Sequence, residues 1–344
     1  MFSRIVRSLL VIGVAATLTV LAWPQAFGLQ NSWVVAHAVS LRGLAVVGAG
    51  ALVIVLLVLS SIRPLRRLMT AFVVLTVLFG AFNASVVLAR GVGADAAARA
   101  EPTAESVTVL SWNTLGDAPG TAAIAALALE EGADVVTLPE TTKETGIAVA
   151  EAMRAGGRPM WVHTLAFDQI SKARSTTLLI SPDLGDYTVS NSAGSGPPGN
   201  TNVLPTVVAS PSDGVGPTIV AVHAVSPIQF EMPNWRSDLD WLADQCRGDN
   251  VIMAGDFNAT TDHMSGRSST GDAVLGACHD AALAAGSGGL GTWPTKLPAV
   301  LGSPIDHIMT TPNWTVQNMR VIESLDAAGS DHRPIVATIT AAPE

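Results

Sequence analysis

One short segment of the sequence joins two side chains that can act on a phosphate group. Asp256 and Asn258 lie two residues apart in GDFNA (255–259), directly after the apolar run Val251–Ala254. The run predicts a buried strand, and residues two apart in an extended segment point to the same side. The carboxylate can handle a proton or a cation, and the amide can donate to a phosphoryl oxygen. The alternative interpretation is an Asx turn that only caps the strand.

Further apolar runs also lead to or from polar side chains of these chemical types. SVTVLS (106–111) precedes Asn113, DVVTL (134–138) precedes Glu140, TIVAV (218–222) precedes His223, the run 305–309 begins beside Asp306 and His307, and Asp331 and His332 precede PIVATI (334–339). Helices are predicted between some of these strands, at about 121–131, 143–155 and 233–246. This alternation predicts an α/β domain, in which sites usually form at strand ends.

The ordered set of motifs resembles the endonuclease/exonuclease/phosphatase superfamily, the metal-dependent phosphoesterases typified by pancreatic deoxyribonuclease. The resemblance covers about Val107 to Ile339, and GDFNA and SDHRPI (330–335) carry it most strongly. It implies a four-layer α/β sandwich, in which two packed mixed sheets are flanked by helices. The chain departs from the family at Pro139, where many members have a polar residue, often Gln.

The resemblance also implies a role for each matched residue. Glu140 would be the principal Mg²⁺ ligand (Mn²⁺ is the alternative ion), with Asn113 and Asp331 near the metal. His332 would be the general base or an electrostatic partner, oriented by Asp306. The remaining matched residues would act on water or substrate: Asp256 would orient the water or help to protonate the leaving oxygen, Asn258 and His223 would hold phosphate oxygens, and Trp293 would contact substrate. Oxygen ligands suit Mg²⁺, and imidazole suits proton transfer near neutral pH.

Each of these residues also has a purely structural interpretation. Glu140 could favour a helix N-terminus by its charge, and Asn113 could cap a turn. His223 could be a hydrogen-bonded core histidine, and Trp293 could pack in the core. His307 follows Asp306 and should point to the opposite face of the strand, so we expect it to be structural.

Three long apolar runs precede the domain and predict a membrane anchor. They cover about 5–29, 44–62 and 68–89, and each can cross a bilayer as a helix. Three buried helices of a soluble protein would need polar faces, which these runs lack. The predicted organisation is therefore an anchor at 1–90, a linker at 91–106 and a catalytic domain at 107–344.

The arginines around these runs predict the orientation of the chain. Arg4 and Arg7 begin the first run, and three arginines lie in the link 63–67. The positive-inside rule places both segments in the cytoplasm, so a multi-pass protein would carry its catalytic domain outside the cell. A cleaved signal peptide is the alternative for the first run, and it would leave the domain on the same side.

Charge and cysteine content bear on the substrate and the compartment. Residues 101–344 carry 11 Lys/Arg and 27 Asp/Glu, a formal charge of −16. A nuclease needs basic groups to hold a polyanion, so this charge weakens that function without excluding it. Cys246 and Cys278 could form a disulfide outside the cytoplasm or remain buried thiols.

Three functions follow from these observations. The first is an outward-facing, Mg²⁺-dependent phosphoesterase that acts on a phosphodiester or phosphomonoester, such as a lipid head group, at the bilayer. The second is an extracellular nuclease that acts on nucleic acid. The third is a non-catalytic binding or sensor module, which the presence of Glu140, Asp256 and His332 disfavours. The sequence indicates no protein partner.

Overall fold

The computed structural model describes most of the chain, in five segments: residues 2–93, 106–167, 170–190, 195–248 and 250–342. It divides into two compact units, Met1–Ala89 and Arg90–Glu344. The predicted linker 91–106 lies largely outside the described residues, which include only 91–93 and 106 of it. The two units are described separately below.

The N-terminal unit consists of four helices: α1 (Phe2–Ala22), α2 (Trp33–Ser40), α3 (Arg42–Ser60) and α4 (Arg66–Arg90). By length and composition, α1, α3 and α4 could cross a membrane. Helix α1 ends before Pro24 because the residue before a proline is sterically excluded from helical geometry. The predicted run 5–29 therefore forms a shorter helix, and α2 is an element that the sequence did not predict.

The C-terminal unit alternates strands and helices. Its strands are β1 (Ser106–Ser111), β2 (Val135–Pro139), β3 (Trp161–Ala166), β4 (Ser175–Ile180), β5 (Tyr187–Val189), β6 (Val207–Pro211), β7 (Thr218–His223), β8 (Val251–Asp256), β9 (His279–Asp280), β10 (Asp306–Thr310), β11 (Trp314–Val321) and β12 (Ile335–Ala341). Its helices are α5 (Gly120–Glu131), α6 (Lys143–Ala155), α7 (Met232–Gln245), α8 (Thr261–Met264) and α9 (Ala281–Ala284). The three longer helices match the predicted ones to within one residue.

Twelve strands form two mixed sheets of six. The first sheet has the order β11-β12-β1-β2-β4-β3, and the second has the order β5-β6-β7-β8-β10-β9. In each sheet one central pair is parallel, β1 with β2 and β7 with β8. Parallel neighbours end at the same sheet edge, so the residues that follow them come together.

Apolar side chains fill the space between the sheets and between sheet and helices. Val109, Val135 and Ile180 of the first sheet share a buried cluster with Ile219 and Ile252 of the second. A separate cluster joins helices α5 and α6 to the outer face of the first sheet. Helix α7 buries Trp235, Leu239 and Leu242 among its residues. This arrangement confirms the predicted sandwich of two mixed sheets flanked by helices.

A disulfide bond joins Cys246 to Cys278, across a sequence separation of 32 residues. Cys246 follows the last residue of α7, and Cys278 precedes β9. The bond decides between the two states that the sequence left open for these cysteines. Such bonds persist in oxidising compartments and are rare in the cytosol.

Candidate active site

Three polar side chains form a row across the second sheet. His223 ends β7, Asp256 ends β8 and Asp306 begins β10. His223 pairs with Asp256, and Asp256 pairs with Asp306, so the three residues lie at one level of the sheet. Laterally paired residues point to the same face, and all three side chains are buried. The edge of this sheet therefore presents two carboxylates and an imidazole together.

The facing edge of the first sheet supplies Asn113, Glu140 and His332. Asn113 lies two residues beyond β1, Glu140 directly follows β2, and His332 precedes β12. The Ser330 hydroxyl donates to the Asn113 carbonyl (2.6 Å) and accepts from the His332 backbone N–H (3.0 Å). The Trp112 indole N–H donates to the His332 carbonyl at 2.9 Å. These bonds hold His332 against the end of β1.

Direct contacts join the polar groups of the two sheets. The Asn113 amide nitrogen donates to Glu140 Oε1 at 3.1 Å and to Asp256 Oδ2 at 3.0 Å. His332 Nδ1 donates to Asp306 Oδ2 at 2.9 Å, and its Nε2 lies 3.8 Å from Asp256 Oδ2. The motifs are up to 220 residues apart in sequence but lie within contact distance in the structure.

His223 and Glu140 face each other across the same cluster. His223 Nε2 lies 3.9 Å from Glu140 Oε1, and its Nδ1 lies 3.4 Å from the Thr176 hydroxyl. The pKa of His223 is lowered to about 3 by burial, with a further contribution from His332. His223 is therefore neutral near pH 7 and acts through hydrogen bonds rather than through charge.

Asn258 serves as a support for Asp256 in this structure. Its backbone N–H donates to Asp256 Oδ1 at 2.8 Å, which is the geometry of an Asx turn. Its side-chain amide donates to Asp256 Oδ2 (3.1 Å) and to the Ala224 carbonyl (2.9 Å). The Asx-turn interpretation is therefore confirmed, and the role of Asn258 in binding a phosphate oxygen stays a prediction. A substrate oxygen would have to replace one of these acceptors to bind Asn258.

Two site residues have left-handed backbone conformations. Glu140 has a φ of 59° and Asn258 a φ of 47°. Asparagine adopts this conformation readily, but glutamate does so at a cost of about 1 kcal/mol. The Thr114 hydroxyl donates to the Glu140 carbonyl at 2.9 Å and holds the strained peptide. Strain of this kind is typical of functional sites, and here it orients the Glu140 carboxylate toward Asn113 and His223.

Trp293 and Asp331 form a second, adjoining pair. The Trp293 indole N–H donates to Asp331 Oδ2 at 2.9 Å. The other oxygen, Asp331 Oδ1, is buried and has no hydrogen-bond partner. Trp293 therefore makes a hydrogen bond to Asp331 Oδ2 in addition to its packing, and Asp331 Oδ1 is left without a hydrogen-bond partner.

Burial and charge determine which site groups carry protons. Burial raises the pKa of Asp256 to about 7, although His332 opposes the shift. Burial would lower the pKa of His332, but Asp306 and Asp256 more than offset this and raise it to about 10. Burial also raises the pKa of Glu140. Near neutral pH, His332 is an imidazolium between two acidic groups, which favours the electrostatic role over that of a general base.

The donor atoms of the cluster fit a divalent cation. Among the residues that the structure describes, Asp256, Asp306 and His332 form one group whose ligand atoms lie within 4.8 Å of one another. Because the His332 imidazolium has no free lone pair, the carboxylates are the donors of this group that can bind a cation. Two buried carboxylate oxygens, Asp306 Oδ1 and Asp331 Oδ1, have no hydrogen-bond partner. Burial of unpaired carboxylates is costly unless a cation or a donor compensates it. Asn113 turns its nitrogen toward the carboxylates, so it would bind a cation only after its amide rotates to present Oδ1.

His307 lies on the opposite face of β10, as its position after Asp306 predicts. Its Nδ1 donates to Asp280 Oδ2 at 2.5 Å, and its Nε2 lies 2.8 Å from the Ala259 carbonyl. Burial lowers the pKa of His307, but the Asp280 carboxylate more than offsets this, and the net pKa is raised. This buried pair supports the fold behind the site.

Several residues that position the site were not singled out in the sequence. The Thr292 hydroxyl accepts from the backbone N–H groups of Ile305 and Asp306, both at 3.1 Å. The Arg333 guanidinium is buried and donates to carbonyls of the loop 291–297, including Gly291 (3.1 Å) and Leu297 (2.6 Å). Thr292 lies in the segment GTWP (291–294), and Arg333 lies in SDHRPI (330–335). These two segments are the only sequence signal that could have identified the two residues.

The family model for the endonuclease/exonuclease/phosphatase family matches residues 110–332. The chain belongs to this family. The resemblance predicted from the motifs is thereby confirmed. Members of the family are generally phosphoester hydrolases that use divalent metals. No curated protein sequence matches the chain.

Solved structures of the endonuclease/exonuclease/phosphatase family share the fold of the C-terminal unit. The chain is similar to a family member from Beutenbergia cavernae, with 19% identity and a TM-score of 0.51, over 69% of this chain and 72% of that one. It is similar to a family member from Bacteroides vulgatus, with 16% identity and a TM-score of 0.51, over 69% of this chain and 99% of that one. At these identities the likeness establishes the fold alone.

Proposed function

We propose that the protein is a membrane-anchored, Mg²⁺-dependent phosphoesterase whose catalytic unit faces the outside of the cell. The observation that carries the proposal is the convergence of the polar groups of both sheets. Asn113 donates to Glu140 and to Asp256, while His332 lies between Asp256 and Asp306. This is a complete set of groups for water attack on a phosphoester.

The oxygen donors of the site would hold the metal ion. Glu140 is the principal ligand in the proposal, with Asn113 and Asp331 beside it. The raised pKa of the buried Glu140 carboxylate and the unpartnered Asp331 Oδ1 both favour a cation there. When bound, Mg²⁺ polarises the phosphoryl group and offsets charge on the leaving oxygen.

Side chains of the protein transfer the proton, stabilise the developing charge and orient the phosphate. Asp256 either accepts a proton from the attacking water or protonates the leaving oxygen, since its pKa of about 7 populates both protonation states near neutral pH. The His332 imidazolium, held by Asp306 through Nδ1, presents Nε2 to the negative charge that develops on the phosphoryl group. Asn258 and the neutral His223 orient the phosphate oxygens.

Two observations support membrane anchoring with the catalytic unit outside. Helices α1, α3 and α4 are long and apolar enough to cross a membrane. The Cys246–Cys278 disulfide favours an oxidising compartment. An alkaline phosphatase reporter fused after Glu344, which is active only outside the cytoplasm, tests the orientation in cells. An inactive but intact fusion would place the unit in the cytoplasm.

A lipid or other small phosphoester is the proposed substrate class. The net charge of −16 on residues 101–344 disfavours a long polyanion, because basic phosphate contacts supply most nonspecific nucleic-acid affinity. The anchor would also hold the site near the headgroups of the bilayer. Both arguments favour a phospholipid head group or an extracellular phosphoester over nucleic acid.

The direct test is hydrolysis by the detergent-solubilised full chain, with Mg²⁺ and with EDTA. The panel contains phospholipid vesicles, a generic phosphodiester, a phosphomonoester and plasmid DNA, and Glu140→Gln is the matched control. Metal-dependent cleavage that Glu140→Gln abolishes supports the proposal, and the cleaved compound identifies the substrate class. Preference for plasmid DNA would instead establish a nuclease. No cleavage, with metal binding intact by calorimetry, would favour a binding module.

A further inference from the structure

An excess of positive charge lies at one end of the N-terminal unit. Residues 1–90 contain seven arginines and no Asp or Glu. Five of these arginines lie at the start of α1 or around the turn between α3 and α4: Arg4, Arg7, Arg63, Arg66 and Arg67. Residues 1–90 therefore offer these arginines no carboxylate as a partner.

Three of these five arginines line a single cleft between α1 and α4. The cleft has a volume of about 510 Å³, and its lining includes Arg4, Arg7 and Ser8 from α1 and Arg67 from α4. The lining continues along α1 with Val11 and Ile12. Positions 4, 7, 8, 11 and 12 recur at the spacing of one helix face, so the cleft follows the helix axis. Its mouth is cationic, and its wall becomes apolar one turn further along.

We propose that this cleft binds the phosphate of an anionic phospholipid. A guanidinium presents a planar fork of N–H donors that matches phosphate oxygens, and the Ser8 hydroxyl adds a neutral donor. Arginines at the ends of membrane-crossing helices lie at headgroup level, where anionic lipids are concentrated. The apolar wall formed by Val11 and Ile12 would contact the glycerol and the first acyl carbons. A free phosphate ion would leave that wall unused.

The test uses the detergent-solubilised full chain and phosphatidylglycerol titrated in a neutral detergent. Native mass spectrometry counts the bound lipids and gives their affinity, with phosphatidylcholine as the zwitterionic comparison. The site variant is Arg7→Gln/Arg67→Gln. The matched control is Arg63→Gln/Arg66→Gln, which removes the same charge from the same end of the unit but leaves the cleft intact. Glutamine retains helix propensity, and circular dichroism checks that each variant is folded.

The wild type should bind one phosphatidylglycerol in preference to phosphatidylcholine. Loss of a charge-assisted hydrogen bond weakens binding about tenfold or more, so the site variant should lose roughly a hundredfold. The control variant should lose much less affinity than the site variant, because Arg63 and Arg66 do not line the cleft and salt screens their charge over about a Debye length. Equal losses in both variants would overturn the proposal in favour of nonspecific surface attraction.

A second arm separates the lipid from a free anion. Inorganic phosphate is titrated against the lipid-bound wild type and, separately, against the lipid-free chain. The proposal expects no displacement of the lipid at phosphate concentrations equal to the lipid concentration. Displacement there, with the same dependence on Arg7 and Arg67, would assign the cleft to a soluble phosphate and overturn the lipid assignment. If the double variant is unfolded, Arg7→Gln and Arg67→Gln are measured singly by the same criteria.

Discussion

Substitution of Asp306 by Asn should remove catalysis without unfolding the protein. The Asp306 carboxylate accepts from His332 Nδ1 at 2.9 Å and fixes the orientation of the imidazole. Asparagine keeps the shape but removes the charge that stabilises the imidazolium. Because acid–base and orienting groups contribute about 10²- to 10⁴-fold, we expect kcat at pH 7 to fall by that range. This loss corresponds to roughly 3–5.5 kcal/mol of barrier.

Stability should fall only moderately, because two electrostatic effects of the substitution oppose each other. Oxygens of Asp256 and Asp306 lie within 4.8 Å of each other and of a His332 nitrogen. At that separation two carboxylates repel by about 3.5 kcal/mol with an effective dielectric constant of 20. The substitution removes this repulsion, but it also removes the attraction between Asp306 and the His332 imidazolium at 2.9 Å. Asp256 remains beside the imidazolium, so we expect the melting temperature to fall, but by less than in a variant that leaves a buried imidazolium with no carboxylate in contact.

Asp280→Asn is the matched control, because Asp280 holds the neighbouring His307 in the same way. This pair lies on the opposite face of β10 and is almost completely buried. Removal of one partner from a buried pair costs about 3–5 kcal/mol. The control should therefore lower the melting temperature while the folded fraction keeps its turnover number.

The melting temperature is measured by differential scanning fluorimetry, and the turnover number is measured by hydrolysis of the best substrate. Both measurements use the full chain in detergent. The role given to Asp306 would be refuted by near-wild-type turnover in Asp306→Asn. A loss of stability as large as that of Asp280→Asn would refute the electrostatic argument. Arrested turnover in folded Asp280→Asn would show that His307 belongs to the catalytic machinery.

Three further predictions concern the metal, pH and the disulfide. Glu140→Gln should bind Mg²⁺ at least tenfold more weakly by calorimetry and lose hydrolysis; unchanged affinity would remove Glu140 from the ligand set. The raised pKa of His307 gives stability that is full below pH 6.5 and is lost as pH rises through the higher pKa of the folded state. The lowered pKa of Asp280 gives stability that is full above pH 3.8 and is lost as pH falls through the lower pKa of the folded state. We therefore expect the melting temperature to vary less with pH, across pH 3–10, in His307→Gln than in the wild type. Cys246→Ser/Cys278→Ser should cost about 4 kcal/mol by the loop-entropy model, and an unchanged denaturation midpoint would contradict it.

The sequence alone predicted the strand ends and the order of the chemical groups, but not the contacts between them. The runs that end near Asn113, Glu140, His223 and Asp256 all form strands at the expected positions. Strand pairing, however, joins residues that are hundreds of positions apart. Only the resemblance to known phosphoesterases indicated that Asp306 and His332 would meet. The structure shows the hydrogen bond between His332 Nδ1 and Asp306 Oδ2, at 2.9 Å.

Two kinds of feature could not be predicted because no local pattern carries them. The left-handed conformation of Glu140 follows a β strand that ends in proline, and nothing in VTLPE signals a positive φ. It is accompanied by a tertiary contact, the hydrogen bond from the Thr114 hydroxyl to the Glu140 carbonyl. Strands β3 and β4, which no sequence pattern indicated, are likewise fixed by pairing rather than by propensity, since β4 begins with the polar sequence STT yet is fully buried.

Strand β10 shows how one short element serves both the site and the fold. Asp306 and His307 are consecutive, so the period of two along a strand sends their side chains to opposite faces. On one face Asp306 orients His332, and on the other His307 pairs with Asp280, which also caps α9 by accepting from the Ala282 and Leu283 backbone N–H groups. A shift of one residue in the register of β10 against β8 would exchange the two faces. It would then bury an imidazole against Asp256 in place of Asp306 and leave Asp280 without its partner. The buried ion pair behind the strand therefore opposes that shift, and the same contact that stabilises the fold keeps Asp306 aligned with Asp256 in the site.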